Sequence, residues 1–124
     1  EAFAAIHAAG GVTSLAHFHK KIGLLGMRRE QQAEVIAALH QAGLDGMEGW
    51  YPSYTAEDSA FVEAMTTRLG LIRTGGTDFH GANRPGVELG TGRDNNIAVP
   101  EEALARLRAA IAEAHRRAGI FENG

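Results

Sequence analysis

Helical patterns in this chain close on glycine four times, at Gly10-Gly11, Gly43, Gly70 and Gly119, and a short apolar run follows each of the first three. Few folds accept that order. Helices alternating with short apolar strands build βαβ units, in which a parallel sheet is covered by its own crossover helices. The expected strands are Val12-Thr13-Ser14-Leu15-Ala16, Leu44 to Tyr51 and Leu71 to Thr74. All are short and apolar, with glycine at their ends, as strands covered by helices should be.

The intervening segments carry helical spacing. Phe3, Ile6 and His7 mark a first helix over Glu1 to Ala9, and Ala33, Ile36, Ala37 and His40 form a stripe over Arg29 to Gln41. Thr55-Ala56-Glu57-Asp58 has the form of a capping box, and Phe61, Val62, Met65 and Leu69 follow it at helical intervals. Pro100, Glu101 and Glu102 suit a helix start, and His115-Arg116-Arg117 suit its end. Between them, Phe79 to Val99 is long for a connection and glycine-rich, which points to a functional loop.

A chain of 124 residues holds one domain with a real core. Its net charge of −3 offers no electrostatic footprint for duplex nucleic acid. With no cysteine, disulfides and thiolate metal sites are excluded, leaving His and carboxylates as ligands. No apolar run approaches the ~18–20 residues that span a bilayer, and no secretory pattern opens the chain, so a cytoplasmic protein without a membrane partner is expected. Three strands are few for a closed parallel barrel. They make a small open sheet, or they belong to a barrel whose other strands lie outside this chain. Because Glu1 opens inside a helical pattern, the second reading is favoured.

The polar residues fall where such folds bind ligands. His17 and His19 follow the first strand, Glu48 lies late in the second, and Asp78 and His80 follow the third within Gly75-Gly76-Thr77-Asp78-Phe79-His80-Gly81. Parallel α/β sheets place their sites at that carboxyl edge. In extended backbone, Asp78 and His80, or His17 and His19, would face one side. Imidazole and carboxylate are the ligand types that hold Mn²⁺, Fe²⁺ or Zn²⁺. Plainer readings stand beside these: a turn or helix cap for Asp78, a solvated loop residue for one of the first histidines, an ion-pair partner for Glu48. His7, His40 and His115 sit inside helical patterns and read as boundary residues. The glycines from Gly86 to Gly92 lack dinucleotide-binding spacing, and Thr13, Ser14 and Ser53 lack a nucleophile's setting.

These motifs resemble, in order, those of the polymerase-and-histidinol-phosphatase (PHP) family. Gly10-Gly11-Val12-Thr13-Ser14-Leu15-Ala16-His17 is similar to its GG-x-x-x-x-AH strand. Gly43-Leu44-Asp45-Gly46-Met47-Glu48 is similar to its GLDGIE strand, and Gly75 to Gly81 to its GGSDFHG motif. Arg84-Pro85 and Glu88-Leu89-Gly90-Thr91-Gly92 resemble the tail of its small metal-dependent phosphoesterase branch. Two departures stand out: Phe18 and His19 follow the strand-end histidine where the family has proline, and the family's amino-terminal HxH motif is absent.

The resemblance implies a distorted (β/α)₇ TIM-like barrel, with residues 1–124 as its carboxyl-terminal part. The amino-terminal part, upstream or on a separate chain, is then a partner without which this chain is inactive. It implies two or three divalent ions (Mn, Fe, Zn or Mg) and hydrolysis of a small phosphorylated substrate, a phosphomonoester such as a nucleotide or a phosphodiester end. By position, His17, Asp78 and His80 would be metal ligands, with Glu48 a ligand or just behind one. His80 or His19, if not ligated, would be the general acid. Lys20, Lys21 and Arg84 are candidates to hold the phosphate, with Trp50 and Tyr51 lining the mouth. Two rivals are a non-catalytic barrel module and an amidohydrolase-like hydrolase.

Overall fold

The computed structural model describes residues 1–120. Helices and strands alternate through them: α1 (Ala2–Ala8), β1 (Ser14–Leu15), α2 (Arg29–Gln41), β2 (Gly46–Trp50), α3 (Ala56–Leu69), β3 (Ile72–Gly75) and α4 (Glu101–Ala118), with one 3₁₀ turn at Gly81–Asn83. Local chemistry sets the helix limits. Thr55 Oγ1 accepts the Asp58 N–H at 3.1 Å while Asp58 Oδ2 accepts the Thr55 N–H at 3.0 Å, closing the capping box that starts α3. Gly70 and Gly119 end α3 and α4 at φ 69° and 72°, a left-handed conformation in which a Cβ is unfavourable.

The three strands form an open parallel sheet in the order β1-β2-β3. Ser14 lies opposite Gly46, and Gly46 opposite Ile72. β1 is shorter than the run Val12 to Ala16 suggested, because Ser14 and Leu15 are the residues that pair with β2. Toward the carboxyl end of β2 the register slips: Glu48 faces Thr74 but Trp50 faces Gly75. This bulge inserts one extra residue, so Glu48 and Trp50 lose the common face that residues two apart normally share.

One face of the sheet meets α2 and α3. Met47 from β2, Ile36 from α2, Val62 from α3 and Phe18 from the loop after β1 are fully buried, with Leu24, Met65 and Leu71 around them. Phe18 packs its ring 5.4 Å from that of Phe61 and 5.5 Å from that of Tyr54. Arg29 binds α2 to α3 through Asp58 Oδ1 at 2.9 Å. α4 lies along β3 and reaches α1. At the amino edge, Asp45 Oδ2 accepts the Thr13 N–H at 2.7 Å and meets His7 Nε2 at 2.8 Å, joining α1, β1 and β2. The result is an α/β sheet with both edges open, and among the described residues no helix is long and apolar enough to cross a membrane.

Candidate metal centre

Because all three strands run the same way, the residues that follow them gather at one edge of the sheet. Glu48 anchors the gathering. Its Oε2 accepts the backbone N–H of His17 at 2.7 Å, linking the end of β2 to the loop after β1. Burial pushes the Glu48 carboxyl above its ordinary value; the His17 N–H opposes that shift and the charge of Asp78 adds to it. A Cβ on Gly76 would lie 2.8 Å from Glu48 Oε1, so glycine there is what lets the carboxylate lie against the start of the third loop. His17 itself has a buried Nδ1 with no hydrogen-bond partner, and its ring meets Tyr51 edge-on at 5.6 Å.

Asp78 is the most heavily contacted member. Its Oδ2 accepts the Tyr51 hydroxyl at 3.1 Å and an ion-pair hydrogen bond from Arg84, and lies 3.9 Å from Lys20 Nζ. Its Oδ1 lies 3.3 Å from His80 Nδ1, which is also 2.7 Å from the Asp78 carbonyl. Arg84 donates to that same carbonyl at 3.0 Å and to the Tyr51 oxygen at 2.8 Å. Burial alone would raise the Asp78 carboxyl, but the Tyr51 hydroxyl and the charges of Arg84 and His80 hold it below the usual carboxylate value. An open cleft of about 310 Å³ is lined here by Lys20, Asp78, His80, Asn83 and Arg84.

The backbone reaches this arrangement by turning, not by extension. His17 and Asp78 both have positive φ, 25° and 52°. The i, i+2 geometry expected for each pair is therefore absent. His80 folds back onto Asp78, while His19 is carried behind Tyr51. There His19 Nε2 meets Ser53 Oγ at 2.9 Å and its ring packs 4.9 Å from Tyr54; burial lowers its pKa despite the nearby Asp58. Trp50 is turned away by the bulge in β2. It stacks with Arg73 at 4.3 Å and lines a separate groove with Glu63, Thr67 and Arg106, so it does not line the mouth of the cleft. Lys21 is exposed and is not among the residues lining the cleft. Tyr51, expected only as a wall, is instead buried and holds Asp78 through its hydroxyl.

The donor types suit a divalent ion, and the buried Nδ1 of His17, like that of His19, has no hydrogen-bond partner. The number of donors falls short. Among the described residues no three His, Asp or Glu side chains come together in a group able to hold an ion. The described residues therefore match a divalent ion in the type of their donors but not in their number.

No family model and no curated protein matches the chain. Among solved structures, it is similar to a protein from Bifidobacterium adolescentis whose name calls it a presumed metal-dependent phosphoesterase. The TM-score is 0.66 at 26% identity, over 88% of this chain. The chain spans 35% of the length of that protein.

Proposed function

We propose that these residues are the carboxyl-terminal part of a TIM-like barrel of the PHP kind, and that the whole is a metal-dependent phosphoesterase. One observation carries the reading: three successive parallel strands deliver His17, Glu48, Asp78 and His80 to the carboxyl edge of the sheet, where Glu48 holds the His17 backbone and His80 lies against Asp78. The similarity to a protein named as a phosphoesterase supports the same class. In this reading His17, Asp78 and His80 are metal ligands, and the remaining ligands come from an amino-terminal part on the same or another chain. Divalent ions so held supply Lewis-acid activation of water and neutralise phosphoryl charge.

The chain's own residues do the positioning. Glu48 fixes the His17 backbone, Tyr51 and Arg84 orient the Asp78 carboxylate, and Lys20 and Arg84 bring positive charge to the cleft where a phosphate monoester would enter. His80, more than half exposed, is the side chain placed to pass a proton to a leaving group if it is not ligated. The substrate is a small phosphorylated molecule, nucleotides included, and the protein acts in the cytoplasm.

Metal analysis and a phosphomonoester panel on the full-length protein test this together. Two or more equivalents of Mn, Fe or Zn are expected, with metal-dependent release of phosphate that Asp78→Ala abolishes. The shortage of ligands within the chain favours a second reading, a non-catalytic barrel module, and a protein purified and reconstituted without bound metal would establish it. Turnover of amide or lactone substrates in place of phosphoesters would assign it to the amidohydrolase-like class.

A further inference from the structure

Arg73 lines the groove between α3 and α4 with its charge unanswered. A Cβ on Gly49 would lie 2.7 Å from Arg73 Nε, so the bare backbone of β2 lets the side chain cross that strand and stack on Trp50 at 4.3 Å. Nε is buried without a hydrogen-bond partner, and among the described residues no carboxylate pairs with the guanidinium. Such a group is a planar fork of donors, always charged, whose natural complement is a carboxylate or phosphate. Leaving those donors half-buried and unmet costs free energy that an acceptor would recover.

The groove has a volume of about 350 Å³, within the range of small-molecule sites, and shares no lining residue with the cleft at Asp78. Two carboxylates also line it. Glu102 is neutralised by Arg106 at 2.6 Å, whereas Glu63, exposed on α3, has no ion-pair partner among the described residues. One unpaired cation and one unpaired anion therefore face the same space, beside the apolar surfaces of Leu71 and Ala103. A simple anion would meet Arg73 but be repelled by Glu63, and a simple amine the reverse. A small molecule carrying both charges answers both.

We infer that this groove binds a free α-amino acid, its carboxylate on Arg73, its ammonium on Glu63 and its side chain against Leu71 and Ala103. Trp50 is a positioning residue here, since its ring holds the guanidinium in place. The inference needs no metal and does not rest on the phosphoesterase reading.

The twenty common amino acids are screened by thermal shift on the full-length protein, and the one that stabilises it most is titrated by calorimetry beside its amine-free and carboxylate-free analogues. Both analogues should bind about tenfold more weakly or worse, the loss expected for one hydrogen bond to a charged group. Arg73→Gln should weaken the amino acid by a similar factor. Absence of stabilisation across the screen, an analogue that binds as tightly as the amino acid, or affinity that survives in folded R73Q would overturn the assignment. Should R73Q fail to fold, Glu63→Gln decides, because that side chain is exposed. E63Q should weaken the amino acid about tenfold; unchanged or tighter binding would show that Glu63 serves only to compete for Arg73, and would overturn the assignment as well.

Discussion

Replacing Tyr51 by phenylalanine isolates one oxygen on which the candidate site depends. The ring is 2% exposed and packs against His17, His19 and Tyr54, contacts that phenylalanine keeps. Lost are the hydroxyl's bonds to Asp78 and from Arg84, at 3.1 and 2.8 Å. A hydrogen bond to a charged group contributes about 1.5–3 kcal/mol. Two such bonds set an upper limit that is not reached here, because Arg84 and Asp78 still pair directly and their side chains remain 17% and 25% exposed, open to water. The expected loss is therefore about 1–2 kcal/mol, or roughly 4–8 °C in melting temperature for a domain of this size. Tyr51→Ala removes the ring as well and should cost about 3–5 kcal/mol. Urea and thermal unfolding of both variants measure the two parts. In a double-mutant cycle with Arg84→Met, the hydroxyl should show a coupling above about 0.5 kcal/mol. A Tyr51→Phe variant as stable as wild type, or as damaged as Tyr51→Ala, would refute the assignment of the hydroxyl as the link between Asp78 and Arg84.

Phe18→Ala should destabilise by about 3–5 kcal/mol, because a fully buried ring between Phe61 and Tyr54 leaves a cavity that the sheet cannot fill; a loss below ~1 kcal/mol in urea unfolding would contradict that packing. Gly76→Ala should cost little stability, since the atom it meets is the flexible tip of Glu48. It should nonetheless expose the His17 amide to faster hydrogen exchange as Oε2 is pushed off it, and unchanged exchange at His17 would refute the contact. Acid should unfold the protein through Asp45 and Asp58. Burial works to raise both, yet His7 and Thr13 for the first, and Thr55 and Arg29 for the second, hold them below the ordinary value. Their folded pKa values lie below the unfolded ones, so their contribution is full above about pH 4 and disappears as pH falls through the lowered values. Melting temperatures from pH 7 to 3 should drop at the acid end, and Asp58→Asn should flatten that drop; a flat profile in wild type would refute it.

The elements of the fold were readable because their punctuation is local. Gly43, Gly70 and Gly119 stop helices through their own backbone freedom, and Thr55 to Asp58 start one through side chains three residues apart. The alternation of helix and strand follows from that spacing, and so does the edge at which His17, Glu48, Asp78 and His80 collect. What could not be read depends on distance or on backbone slippage. Tyr51 reaches Asp78 across 27 positions, and Arg84 reaches Tyr51 across 33, with no pattern in between to signal either. Trp50 is expected at the mouth of the cleft, but one extra residue in β2 turns it toward Arg73. His19 was misplaced for a related reason, since the chain stops being extended at His17.

The left-handed backbone at His17 and Asp78 means that the site is held against a local preference. A residue with a side chain in that region carries roughly 1–3 kcal/mol of conformational strain, less for aspartate, which adopts it more readily than most. Glycine would be more comfortable at both positions. At Asp78 the bonds from Tyr51 and Arg84 offset that local cost, so the turn after β3 is held by its side-chain partners and not by its own backbone preference.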